Sequence, residues 1–301
     1  MIRYVYSPKY ELDLGEHVFP TAKYRLVRDR LLAEGLAAAD QMVEPRPASR
    51  EDLLLVHTSE YLDDLERLQY TYATLRSEVP LTREIVEASM LTAGGTYDAT
   101  RLAVEAGVGV HLGGGFHHAF PDHAEGFCYI NDIAVAIRMA QRDGLAGRFA
   151  VIDCDLHQGN GTAWVFRTDQ RVFTFSIHQE DNYPVKQRSS LDIGLDDGVG
   201  DDEYLGHLAT HVPWILSEHR PQAAIYLAGA DPFENDQLGG LKLTTTGLAE
   251  RDRLVLAACR EARVPVVVLL AGGYAFDLND TVTIHCNTCR AVHGVFCSGT
   301  A

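Results

Sequence analysis

Residues 151 to 162 read "VIDCDLHQGNGT". The stretch begins as an apolar strand and then sets Asp153, Asp155 and His157 at alternate positions, where an extended chain turns all three side chains to one face. Asp and His are common where a chain leaves a sheet, and Asn160-Gly161 is an ordinary helix-entry turn. Alone, the stretch fits a solvated strand end as well as a site. The rest of the chain decides between them.

Similar apolar runs recur from about residue 108 onward: "GVGVHL" (107–112), "RFAVIDC" (148–154), "RVFTFSI" (171–177), "AAIYLAG" (223–229) and "VPVVVLLAGG" (264–273). They are almost continuously apolar, as strands covered on both faces are. The segments between them, 130–144, 201–219 and 244–262, carry helical spacing with plausible caps. This alternation predicts an α/β protein with a central, mostly parallel β-sheet flanked by helices. The first hundred residues read as more helical. Ser49 and Thr58 or Ser59 offer caps within 49–68, and helical periodicity holds across Gly94 and Gly95 in 82–107. These helices are expected to cover one side of the sheet. No repeat, low-complexity segment or linker interrupts the pattern, so residues 1–301 are expected to form a single domain.

The composition agrees, since 301 residues with 46% hydrophobic and 23% charged side chains can bury a large core. No stretch approaches the roughly 20 apolar residues of a membrane span, and Met1 leads into "IRYVYSPKY" without a signal-peptide apolar region. A cytoplasmic protein with no membrane association is expected. The formal net charge of -16 disfavours binding to nucleic-acid phosphates and favours a cationic substrate or partner. Six cysteines do not make a disulfide scaffold in a chain this long. Cys128 and Cys154 read as small buried thiols. The "CNTC" at Cys286 and Cys289 lacks the second ligand pair of a structural zinc site and reads as one face of a helix.

In open α/β sheets the ligand site lies off the carboxyl ends of the strands, and four of the runs end in reactive residues. "GGGFHHAFPDHAEGF" (113–127) follows the first, Asp153, Asp155 and His157 the second, Asp231 the fourth, and Gly272-Gly273-Tyr274 the last. Asp155, His157 and Asp231 make a three-ligand metal set that leaves a position open for water and substrate. Its oxygen-rich shell suits Zn²⁺ and also admits Fe²⁺. The triple glycine permits tight turning before His117-His118, a pair suited to act as general base and general acid. Asp153, not needed as a ligand, is placed to orient one imidazole. Tyr274 offers a phenolic O–H to polarise a carbonyl.

These residues resemble a known family. "GGGFHHAFPDHAEGFCYINDIAVA", "VIDCDLHQGNGT", "LAGADPFENDQLGGLKLT" and "AGGY" are similar to the successive motifs of the zinc-dependent histone deacetylases, most closely the class IV branch and its bacterial relatives. The resemblance runs from "YSPKY" to "DTVTIH". It implies an arginase/deacetylase fold with Asp155, His157 and Asp231 as metal ligands and His117 and His118 as the catalytic pair. It further implies that Asp153 pairs with His117 and Asn160 with His118, and that Tyr274 polarises the carbonyl. Gly126, Phe127 and Tyr183 match the acyl-lysine channel, and Leu238 aligns with the gatekeeper position that is acidic in polyamine-preferring members. A structural K⁺ or Na⁺ site is implied at Asp153, Asp155, His157, Ser176 and Ile177. Two features depart from many relatives: Gln158 stands where they have a second histidine, and the sequence closes on "RAVHGVFCSGTA" where some eukaryotic members are expected to carry a long regulatory extension. Neither touches the metal ligands.

The expected activity is removal of an acyl group from N-ε-acyl-lysine, in a protein, a peptide or a related small acyl amine. An acylpolyamine deacetylase of the same family is the nearest alternative. An arginase-like dimanganese hydrolase would need a further bridging carboxylate, yet Pro232-Phe233 follows Asp231. An inactive acyl-lysine-binding scaffold would be expected to lose a ligand or Tyr274, and none is lost. Physiological substrate and oligomeric state are not readable from these residues.

Overall fold

A computed structural model describes residues 2–297. Its strands are β1 (Tyr4–Val5), β2 (Met42–Val43), β3 (Val108–His111), β4 (Phe149–Asp153), β5 (Val172–Gln179), β6 (Leu191–Leu195), β7 (Ala223–Leu227) and β8 (Val266–Leu269). They form one eight-stranded sheet in the order β2-β1-β3-β8-β7-β4-β5-β6. Every pairing in it is parallel, where a mostly parallel sheet was expected.

The helices are α1 (Lys23–Ala33), α2 (Arg50–Leu53), α3 (Ser59–Glu66), α4 (Tyr72–Leu75), α5 (Arg83–Ala106), α6 (Asp132–Arg142), α7 (Asn160–Phe166), α8 (Asp201–His219), α9 (Thr245–Glu261) and α10 (Leu278–Phe296). Strand alternation divides the core between them. Val151, Ile225, Val267 and Leu269 pack on one face with Ala99 and Ala103 of α5 and Ile133 and Ile137 of α6. Ala150, Ile152, Tyr226 and Val268 pack on the other with α8, α9 and α10. The central strands are buried at every position, which explains their lack of polar alternation in sequence.

Ser49 caps α2 and Thr58 caps α3 through their side chains, each contact typically contributing about 1 kcal/mol. The long α5 runs unbroken through Gly94 and Gly95 and ends at Gly107 in the left-handed region. It covers one face of the sheet, as expected of the N-terminal helices, whereas α2 and α3 pack outside it against α6 and α5. The earlier α1, which the sequence reading did not single out, lies on the opposite face beside α10. Cys286 and Cys289 fall within α10 and are buried there, unpaired.

One expectation is corrected. Strand β4 stops at Asp153, so Asp155 and His157 lie in the bend beyond it, not in an extended run. The Asp155 N–H donates to Asp153 Oδ1 at 3.1 Å and the His157 N–H to Asp155 Oδ1 at 3.0 Å. Each carboxylate thus captures the backbone two residues on, the turn that Asp favours over continued pairing. As a result Asp153 faces His117, whereas Asp155 and His157 turn toward Asp231.

Candidate active site

Strands β3, β8, β7 and β4 are consecutive and parallel in the sheet, so their four carboxyl ends lie side by side. After β3, Gly114 and Gly115 take φ of 75° and 88°, values that only glycine adopts at little cost. The Gly115 and Phe116 N–H groups donate to the buried Asp132 carboxylate at 3.1 and 2.7 Å, fixing the loop that presents His117 and His118. Both histidines are buried. His117 Nδ1 lies 2.8 Å from Asp153 Oδ2, His118 Nδ1 lies 2.8 Å from Asn160 Oδ1, and the two Nε2 atoms are 3.1 Å apart.

The hydrogen-bond partners assign the protons. Asn160 Nδ2 donates to Glu125 Oε1 at 2.7 Å; a carboxylate only accepts, so Asn160 turns its oxygen to His118, and His118 Nδ1 carries a proton. Burial is the largest influence on His118 and, with His117 and His157 beside it, holds its pKa well below the usual imidazole value. Burial also opposes charge on His117, but Asp153 and Asp155 more than offset it and raise that pKa to about 9. Glu125 is in turn paired with Arg76. Neither Glu125 nor Arg76 was singled out in the sequence, where loop charges of this kind carry no pattern.

Asp155, His157 and Asp231 each offer one ligand atom within 4.8 Å of the other two, the one such group of three or more His, Cys, Asp or Glu side chains among the described residues. His157 Nδ1 stands 3.4 Å from Asp155 Oδ1 and 3.3 Å from Asp231 Oδ2. Backbone N–H groups hold the other carboxylate oxygens, Gly272 on Asp155 Oδ2 at 2.9 Å and Leu156 on Asp231 Oδ1 at 3.1 Å. Asp231 Oδ2 is buried and makes no well-directed hydrogen bond, its one polar neighbour being the His157 ring nitrogen 3.3 Å away, a costly arrangement unless a cation satisfies it. Burial and the Asp155 charge raise Asp231 to about 6, while His157, despite burial, is raised to about 10 by the two carboxylates. The cluster therefore attracts positive charge strongly. A Cβ at Gly272 would come within 2.3 Å of Asp231 Oδ2 and 2.6 Å of Asp155 Oδ2, so glycine keeps the space beside both oxygens open. The donor set and the orphaned oxygen fit a divalent metal ion.

A channel reaches this cluster from the surface, lined by Glu78, His118, Gly126, Phe127, His157, Asn182, Tyr183, Leu238 and Tyr274. Tyr183 crosses His118 at 5.3 Å between ring centroids, and Phe127 crosses Tyr274 at 5.8 Å. Gly126, Phe127, Tyr183 and Leu238 are thus brought together as expected. The exposed Glu78, absent from the expected set, joins them at the mouth. Glu78 and Phe127 both hold left-handed backbones, with φ of 65° and 66°. Ser176 pairs with Asp153 in the register of β4 and β5, with Ile177 next to it; the Ser176 hydroxyl bonds His178 Nδ1 at 2.9 Å. Gln158, the departure from many relatives, bonds the Gln187 carbonyl and Asp192 and points away from the cluster.

A parallel sheet with two carboxylates, an imidazole, a histidine pair and a tyrosine gathered off its strand ends is the architecture of the deacetylases. The chain belongs to the histone deacetylase family: the family model described as the histone deacetylase domain matches residues 17–289. It is 41% identical over 300 residues to an uncharacterised protein of Picosynechococcus, covering 97% of this chain and 98% of that one. It is 32% identical over 286 residues to histone deacetylase 2 of Arabidopsis thaliana, covering 90% and 74% of the two chains. The fold matches the crystal structure of the HDA15 HD domain with a TM-score of 0.83 at 25% identity, over 97% of this chain and 89% of that one.

Proposed function

We propose that this protein hydrolyses the amide of an N-ε-acyl-lysine, with Asp155, His157 and Asp231 holding one divalent ion, Zn²⁺ or alternatively Fe²⁺. The observation that carries the reading is the orphaned Asp231 Oδ2 in a buried Asp-His-Asp cluster, set beside paired imidazoles at the end of an aromatic channel. When bound, the ion would supply Lewis acidity to the attacking water and to the substrate carbonyl.

Phe127 and Tyr183 would clasp the aliphatic stem and exclude bulk water from the amide. The proton that Asn160 holds on His118 Nδ1 leaves Nε2 free to accept one from the attacking water. The two Nε2 atoms, 3.1 Å apart, would repel as bare lone pairs, so before the water attacks, His117 Nε2–H donates to the His118 Nε2 lone pair, and that bond gives way when His118 takes the water's proton. His117, stabilised as a cation by Asp153 and Asp155, holds its Nε2 proton and supports proton delivery to the departing amine. Tyr274 would donate its hydroxyl proton in a hydrogen bond to the carbonyl oxygen as negative charge develops there. The same reading places a structural K⁺ or Na⁺ against the main chain of Asp153, Asp155, His157, Ser176 and Ile177.

Hydrolysis of an acetyl-lysine peptide, measured with and without a chelator and beside metal analysis, tests the reading. One metal per chain and chelator-sensitive, metal-restored turnover are expected. Two tightly bound catalytic manganese ions, or full activity in Asp231→Ala, would overturn it.

A further inference from the structure

Asp236 lies five residues beyond Asp231 and is buried at 5% exposure. No cationic side chain lies within 4 Å of its carboxylate among the described residues. It takes two hydrogen bonds, both from backbone. Oδ2 accepts from the Tyr274 N–H at 2.7 Å and Oδ1 from the Leu238 N–H at 2.9 Å. An unpaired buried acid is unfavourable unless its bonds do something that a neutral group would not.

Around this carboxylate the segment carrying Asp231 is joined to the segment carrying Tyr274. The Gln237 N–H and Gln237 Nε2 both donate to the Tyr274 carbonyl, at 3.1 and 2.8 Å, and the Phe276 N–H donates to the Asn235 carbonyl at 3.2 Å. The connection continues outward. Asn182 Nδ2 donates to the Leu238 carbonyl at 2.9 Å, and Asn182 Oδ1 accepts from the Tyr183 N–H at 2.7 Å. One hydrogen-bonded path therefore runs from the Tyr274 backbone through Asp236 and Leu238 to the aromatic side of the channel.

We propose that Asp236 is a positioning residue for Tyr274, its carboxylate tying the Tyr274 and Leu238 N–H groups together so that the phenol and the channel keep a fixed register with the metal-ligand loop. This rests on the reading that Tyr274 donates to the substrate carbonyl. Asparagine preserves the volume, but its NH₂ must face one of the two N–H donors and loses that bond.

The test is a double-mutant cycle of Asp236→Asn and Tyr274→Phe on an acetyl-lysine peptide, with metal content and Tm measured for every variant. Asp236→Asn is expected to retain its metal and lose roughly tenfold to a hundredfold in kcat, the scale of a small misplacement. Its KM should stay within about threefold, and the double variant should fall no further than Tyr274→Phe alone. A purely structural role would lower Tm yet leave the two losses in kcat multiplying. Multiplying losses, or wild-type kcat in Asp236→Asn, overturn this proposal alone. Wild-type turnover in Tyr274→Phe overturns it together with the reading beneath it. Should asparagine prevent folding, Asp236→Glu, which keeps the charge but moves it outward by one methylene, enters the same cycle with the same two outcomes.

Discussion

His117 and His118 are neighbours in one loop, yet Asp153 faces the first and Asn160 the second. A carboxylate stabilises the cationic imidazole and a neutral amide does so far less, so charge is favoured on His117 and disfavoured on His118, whose Nε2 atoms lie 3.1 Å apart. His118→Ala is therefore expected to lose more kcat than His117→Ala, with metal retained in both; single-turnover kinetics beside metal analysis would show it, and the reverse order would exchange the two roles. At this scale the Asp-His-Asp cluster was legible, because its members stand directly after apolar runs that could only be strands. Asn160 was legible only through the family motif. Asp236, Glu125 and Glu78 were not, since a carboxylate in a loop gives no sign in sequence of whether it meets a backbone N–H, an amide or solvent.

Strands β4, β7 and β8 were legible because burial on both faces leaves an uninterrupted apolar run. The two-residue β1 and β2 and the half-exposed β6 at the sheet's edge leave none, and α1 offered no cap that its sequence announces. Strand β3 carries a cost hidden in its apolar run. His111 is fully buried, with ring nitrogens at 2.7 Å from Tyr10 Oη and 3.0 Å from Thr96 Oγ1 of α5, and burial lowers its pKa to about 3. The unfolded state, with an ordinary imidazole near 6.5, binds more protons between those values, so this contribution to stability is intact at neutral pH and is lost as pH falls below about 6.5. Urea unfolding of wild type and His111→Gln should show the difference between them shrinking by about 2 kcal/mol from pH 7 to pH 5. A pH-independent difference would mean that the ring stays neutral in both states or titrates alike in them.

Across the whole molecule, the net charge of -16 draws cations toward the surface, while Leu238 gives the channel mouth no counter-charge for a distant ammonium. Glu78 supplies one carboxylate there, but it is exposed and its attraction is screened over about 8 Å at physiological ionic strength. Acetyl-lysine peptides should accordingly show higher kcat/KM than N-acetylputrescine or N8-acetylspermidine at that ionic strength; a polyamine preference of about tenfold or more would mean that the rim recognises the second charge. The all-parallel sheet has an engineering consequence as well. Every strand points its carboxyl end at the reactive rim, so the opposite rim, where Gly144 and Arg263 turn the chain back toward β4 and β8, holds the strands' amino ends. Five-residue strands set the two rims roughly 15 Å apart. Gly144 is exposed, has a φ of 72° and has no heavy atom within 4 Å of the place a Cβ would take. The turn after α6 is thus a permissive point for an inserted tag or a surface tether, one that would immobilise the protein with its channel facing outward.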